Sequence, residues 1–302
     1  MSKTYGNYSD PKDVLENLGG ETLRLYLAGS AVMGGGEADW SDEVLKEMQK
    51  NILLPLWNTY KYLTIYADLH DWTPENVEFN SNSVLDKWLE SYVKKVVLDY
   101  SKALDNYNIP ESVKLIQPAI DNVSSWWIRR SRDRFSNGDK EALQNLYAAI
   151  VTLAKAFAPQ MPFITEEIYQ NLVRNTLQNS KESVHLEDYP NFIESEIDLS
   201  LLQEMDIVRE ICTLGQSIRV QNRLKVRQPL QDLIIYAVNK NITGEEIRNG
   251  KNSIGYEVKE NTVSAIRNDL LDVIKDELNV MNVKLVGQEI VASDEYKVAG
   301  NN

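Results

Sequence analysis

The stretch Leu85-Asp86-Lys87-Trp88-Leu89-Glu90-Ser91-Tyr92-Val93-Lys94-Lys95-Val96-Val97-Leu98-Asp99-Tyr100-Ser101-Lys102-Ala103-Leu104 carries the strongest structural signal in the chain. Its apolar members, Leu85, Trp88, Leu89, Tyr92, Val93, Val96, Val97, Tyr100 and Leu104, recur three and four residues apart. At 3.6 residues per turn that spacing gathers them into one broad stripe facing a core. A long helix of this kind belongs to a bundle, because only neighbours with stripes of their own can bury it.

Such neighbours occur further along the chain. Helical patterning covers roughly Glu111 to Phe135, Lys140 to Val173 and Leu199 to Arg223. Pro159 and Pro162 interrupt the second of these, since proline lacks the N–H and clashes with the preceding turn. Upstream, Asp10-Pro11 starts a helix that Gly19-Gly20 stops, and another runs from about Glu21 to Ala28. Gly34-Gly35-Gly36 leads to a further cap at Trp40-Ser41-Asp42, and Asn76 to Asn82 reads as a loop. The tail changes character. Leu233-Ile234-Ile235-Tyr236-Ala237-Val238 and Val283-Lys284-Leu285-Val286 read as strands, with a helix from about Thr262 to Leu278 between them. The expected fold is mainly α, a helical bundle with a small C-terminal α/β unit. It divides as 1–75, 76–227 and 228–302.

Composition limits the function. The 302 residues carry 32 Lys and Arg against 45 Asp and Glu, a net charge of −13, which excludes a uniformly basic nucleic-acid binder. RNA contacts on such a body must come from local patches. One cysteine, Cys212, permits no internal disulfide and fits a reducing, cytoplasmic setting. His70 and His185 stand alone, so no local zinc motif is visible, and no apolar run is long enough to span a membrane.

Two basic clusters stand out. In Trp126-Trp127-Ile128-Arg129-Arg130-Ser131-Arg132-Asp133-Arg134-Phe135, four arginines face one aspartate. On a regular helix Trp127, Arg130 and Arg134 share one face while Ile128 and Phe135 share another. Guanidinium forks grip phosphate and an indole stacks on an unpaired base, so the grouping suits an RNA loop. It also suits ordinary surface ion pairing through Asp133, with the tryptophans in the core. The second cluster, Arg219, Arg223, Lys225 and Arg227, has no acid between Ile218 and Pro229. It can cradle an RNA backbone or simply end a helix, where cations are favoured in any protein.

The resemblance to isoleucyl-tRNA synthetases rests on these strings. Ser125 to Phe135 resembles that family's N-W-Y-[IV]-R-R-S-R-x-R-F, and Lys225-Val226-Arg227-Gln228-Pro229-Leu230 its K-V-R-Q-P-L. Leu53 to Tyr60 resembles L-L-P-L-W-N-x-Y, Glu277-Leu278-Asn279-Val280 resembles E-L-N-V, and Leu85-Asp86-Lys87-Trp88 fits the opening of the anticodon-binding bundle. Met1-Ser2-Lys3-Thr4 resembles the K-M-S-K-S signature loop without its first lysine, with Thr4 keeping the final hydroxyl. The matches fall in family order across nearly the whole chain.

The resemblance implies a signature loop and linking helices at 1–75, an anticodon-binding bundle at 76–227 and a small α/β unit after it. Lys3, with Ser2 and Thr4, would then meet the phosphates of ATP, where charge develops as pyrophosphate leaves. Trp127, Arg129, Arg130, Arg132, Arg134, Arg219, Arg223, Lys225 and Arg227 would meet isoleucine tRNA. It further implies that the nucleotide-binding and editing domains, and the ATP and Mg they use, belong to a longer parent chain. The chain alone is expected to hold no cofactor or metal, to be inactive, and to be monomeric. Two alternatives stay open: a valyl or leucyl relative, and a helical adaptor that binds protein through an apolar groove.

Overall fold

The computed structural model describes residues 10–37, 40–236 and 266–286. They form two compact units that meet in sequence between Asp198 and Leu199. The expected boundaries at 75/76 and 227/228 therefore do not coincide with this division. The helices upstream of residue 76 share a unit with the bundle, and the helix after residue 198 belongs with the strands.

The first unit begins with α1 (Pro11–Leu18), capped by Asp10, whose carboxylate accepts from the Lys12 amide at 2.9 Å. α2 (Gly20–Gly29) comes after Gly19, and α3 (Asp42–Met48) is capped by Ser41. α4 (Leu54–Leu69), α5 (Val84–Asp105) and α6 (Ile109–Asp121) come next. A seven-residue π turn, Asn122–Ile128, joins α6 to α7 (Arg129–Ser136). The unit continues through α8 (Lys140–Phe157) and α9 (Pro162–Tyr169), which a second π turn, Gln170–Arg174, extends.

The stripe on α5 is buried as expected: Trp88, Leu89, Val93, Val96, Val97 and Tyr100 all lie in the core. α8 is the central element, with 14 of its 18 residues buried. A helix apolar on every side has neighbours on every side, and α4, α5 and α9 supply them.

The second unit is α10 (Leu199–Gln221), β1 (Leu230–Tyr236), α11 (Asn268–Leu278) and β2 (Val280–Val286). The strands pair in parallel, Leu230 opposite Val280 and Ile235 opposite Leu285. Parallel strands need a crossover, and α11 lies within it. Both strands start earlier than the apolar runs suggest, since ladder bonds accept Asp232 and Asn282 as readily as valine. Residues 237–238 of the expected first strand and 262–265 of the expected helix lie outside the described residues. α10 packs on α11 with little room. A Cβ at Gly215 would run into the side chain of Leu278, which would have to shift to admit it.

Candidate nucleic-acid interface

The first cluster begins in a π turn, which holds Trp126, Trp127 and Ile128, and its arginines continue on α7. The π turn Asn122–Ile128 sits inside the expected helix, four residues after Pro118, which already lacks an N–H to give. Such a turn holds one extra residue and rotates the helix before it against the helix after it by roughly 100°. Trp127 is in the core, fully buried, with its ring 5.8 Å from that of Phe135 in edge contact. The expected pairing of Trp127 with exposed arginines is therefore corrected, and Trp127 and Phe135 share one face. The indole beside the arginines is that of Trp126. The Arg130 guanidinium lies 3.0 Å from its ring centroid and donates to the Trp126 carbonyl at 3.0 Å. Four-residue spacing between the two was a visible signal for this stack; the π turn had none beyond Pro118.

Arg134 is also corrected. Its guanidinium is forked onto Asp86, Nη1 to Oδ1 at 2.8 Å and Nη2 to Oδ2 at 2.9 Å, while Nε donates to Asp139 Oδ2 at 2.7 Å. Asp86 is fully buried in the first turn of α5, and Asp139 caps α8 through the amides of Glu141 and Ala142. One arginine thus ties together the starts of two core helices. Burial acts to lower the Arg134 pKa, but its hydrogen bonds and charge pairing with Asp86 and Asp139 outweigh that and hold it above the ordinary arginine range. Two carboxylates cancel its charge. The groups this cluster offers to solvent are Arg129 and Arg132, both exposed, whereas Arg130 is half-buried on Trp126 with its Nε and Nη2 shielded from solvent.

α7 is held in place from behind. Tyr62 and Tyr66 of α4 pack on Phe135 at 5.1 and 5.7 Å, and His70 Nε2 lies 2.8 Å from the Phe135 carbonyl. The turn after the helix passes through Gly138, whose φ of +70° and close approach to His70 leave no space for a Cβ.

The second cluster divides in the same way. Arg219, in the last turn of α10, is 3% exposed and therefore unavailable to a ligand, which corrects the expectation for it. Its Nη1 donates to the carbonyls of Lys225 and Gln228, each at 3.0 Å, and its Nη2 to those of Leu278 and Asn279. No carboxylate pairs with it among the described residues. Burial lowers its pKa, yet a guanidinium stays protonated. The chain leaving α10 turns through Arg223 at φ +57°. Asn279 Nδ2 donates to the Val226 carbonyl at 3.2 Å, and the Gln228 amide to the Lys225 carbonyl at 3.0 Å. With the carbonyls of 225, 226 and 228 tied inward, Arg223, Lys225 and Arg227 are all exposed.

Ser2, Lys3 and Thr4 lie outside the described residues. Among the described residues no cluster of His, Cys, Asp and Glu could hold a metal ion, and no helix is long and apolar enough to cross a membrane.

The helical core thus presents two short runs of exposed cations on an acidic chain. Residues 86–235 match the family described as the anticodon-binding domain of tRNA ligase, and the chain belongs to that family. Its relatives include the isoleucine–tRNA ligase of Treponema denticola, 36% identical over 257 residues, which make up 79% of this chain and 23% of that protein. The isoleucine–tRNA ligase of Clostridium acetobutylicum is 35% identical over 295 residues, 94% of this chain and 25% of that protein. That of Dehalococcoides mccartyi is 38% identical over 240 residues, 77% and 24% respectively. The chain thus spans about a quarter of the length of these relatives. A crystal structure of a LeuRS–tRNA complex from Agrobacterium radiobacter aligns with 86% of this chain and 30% of its own, at 13% identity and a TM-score of 0.47.

Proposed function

We propose that the chain is the tRNA-recognition portion of an isoleucine–tRNA ligase and that it binds isoleucine tRNA through two exposed basic surfaces. One is Arg129 and Arg132 with the Arg130–Trp126 stack; the other is the loop bearing Arg223, Lys225 and Arg227. The observation that carries this reading is that Arg129, Arg132, Arg223, Lys225 and Arg227 are exposed inside the region that matches the anticodon-binding family, on a chain whose net charge is −13. Stacked arginine and indole suit an unpaired base, whereas the loop's three cations suit the phosphate backbone.

The parent enzyme would attach isoleucine to its tRNA using ATP and Mg, as a monomer in the cytoplasm. Lys3, flanked by Ser2 and Thr4, would stabilise the charge that develops on the leaving phosphates. This chain by itself would not activate the amino acid.

Titration of the chain with isoleucine and valine tRNAs at two salt concentrations tests the reading, alongside an ATP–pyrophosphate exchange assay. The expected result is selective binding that weakens with salt by about 0.9 log units per log unit of salt for each phosphate neutralised, and no exchange. Tighter binding of valine tRNA would point to a valyl parent, and equal binding of both would remove the claim of selectivity. Absent or salt-insensitive binding would leave a protein-binding adaptor, and exchange by the pure chain would overturn the assignment of catalysis to other domains.

A further inference from the structure

Arg219 is an unusual buried cation. A guanidinium taken out of water is ordinarily matched by a carboxylate, as Arg134 is by Asp86 and Asp139. Arg219 has only neutral partners, four backbone carbonyls drawn from two places that are remote in sequence. Two belong to the loop after α10, at Lys225 and Gln228. Two belong to the junction of α11 and β2, at Leu278 and Asn279. The planar fork bridges these stretches, and an ammonium, which has three donors at one point, would not span them. The loop's other inward carbonyl, that of Val226, is held by Asn279, the residue that also supplies one of Arg219's own acceptors.

Carbonyl pairing has two consequences for the loop above it. The backbone is fixed before any ligand arrives, so three long side chains project from a frame that need not be ordered on binding. The positive charge of Arg219 also remains uncancelled, and it adds to the field of Arg223, Lys225 and Arg227 rather than neutralising it.

We propose that Arg219 is a positioning residue for phosphodiester binding, holding the 222–229 loop in the shape that presents Arg223, Lys225 and Arg227 to an RNA backbone without touching the RNA. This rests on the reading of that loop as a tRNA contact. It goes further by assigning the loop's affinity to a buried residue and to its carbonyl-only partners.

A double-mutant cycle on the whole chain tests it, with tRNA as the probe. The arms are Arg219→Lys, the loop triple variant with alanine at 223, 225 and 227, and both together. Arg219→Lys keeps the charge and loses the fork, so it should weaken binding by roughly fivefold to tenfold through lost preorganisation. In the triple-variant background it should cost nothing further, because the cations it positions are gone. Amide exchange at Gln228 should quicken in Arg219→Lys, which marks release of the loop. A residue acting only on global stability would leave the binding curve of the folded protein unchanged. Should Arg219→Lys fail to fold by circular dichroism, Asn279→Gly is measured in its place. Glycine tolerates the left-handed backbone there, at φ +48°, and removes only the bond to Val226. Its expected loss is smaller, about twofold to threefold.

If the triple variant weakens binding and neither Arg219→Lys nor Asn279→Gly does, the proposal is overturned while the loop remains a tRNA contact. The same holds if the two losses simply add. If the triple variant binds tRNA as the natural chain does, the loop reading itself falls and the proposal with it.

Discussion

The two basic clusters look alike in sequence and are built on opposite electrostatic plans. In the first unit the partly buried Arg134 is saturated by two carboxylates, one of them fully buried, and it works as a brace between helix starts. In the second unit the buried arginine, Arg219, meets only carbonyls and keeps its charge. The first arrangement is self-contained and gives the surface little positive field. The second adds field to a loop that already carries three exposed cations. A run of arginines is therefore not a unit of function: within each cluster, burial and partner type separate the groups that hold the fold from those that can meet a ligand.

The largest effects expected from this contrast concern stability in the first unit. Arg134→Ala should cost about 3–5 kcal/mol, because it leaves Asp86 buried and charged without a partner. Replacing both residues, Arg134→Met with Asp86→Leu, should cost clearly less than that single change. Urea unfolding followed by tryptophan fluorescence measures both, and an Arg134→Ala protein as stable as the natural chain would mean that the brace is surface decoration. Trp127→Ala should cost a similar amount, about 3–5 kcal/mol, through the cavity it opens beside Phe135. Trp126→Ala should cost much less and show its effect in tRNA binding.

A middle-sized effect is expected in RNA affinity. Removing Arg223, Lys225 and Arg227 together should weaken binding to isoleucine and valine tRNAs alike and flatten the salt slope by up to about 3. Changing Arg129 and Arg132 to alanine should act on isoleucine tRNA more than on valine tRNA, with a smaller change in slope. Parallel losses from both sets would erase the proposed division between base contact and backbone contact.

The smallest effect is one of acid. Burial raises the Asp139 pKa, but the hydrogen bond from Arg134, the amide of Ala142, the Arg134 charge and the amide of Glu141 bring it below the ordinary aspartate value. A lowered folded value contributes stability that is complete above the ordinary carboxylate range and is lost as pH falls through the folded value. Acid should therefore loosen the start of α8 first. The Arg219 partners do not titrate, so the loop at 222–229 should hold longer. Amide exchange at Ala142 and Gln228, corrected for intrinsic rates and compared at neutral and acid pH, checks this; equal loosening at the two amides would contradict it.

Much of the architecture was legible from local chemistry. The α5 stripe, the Asp10 and Ser41 caps, the stop at Gly19 and the break between Pro159 and Pro162 depend on residues a few positions apart, and periodicity and capping report such short distances faithfully. The family was legible as well, because short strings kept their order. Local chemistry could not settle which arginine stands where. On a helical wheel Trp127 stands about 60° from Arg130 and about 80° from Phe135, so spacing alone leaves its side open, and only its burial against Phe135 decides it.

Sequence alone establishes a mainly helical chain with an α/β tail and two cationic stretches on an acidic body. Its repeating pattern of apolar and charged residues admits no other way to exclude water. That Arg134 and Arg219 are braces tied to partners within the fold, while Arg129, Arg132, Arg223, Lys225 and Arg227 remain exposed, emerges only in three dimensions. The reason is distance along the chain. Asp86 lies 48 residues from Arg134, and Leu278 and Asn279 lie 59 and 60 residues from Arg219. A buried charge is placed by the partner that can satisfy it, and no local pattern announces a partner that far away.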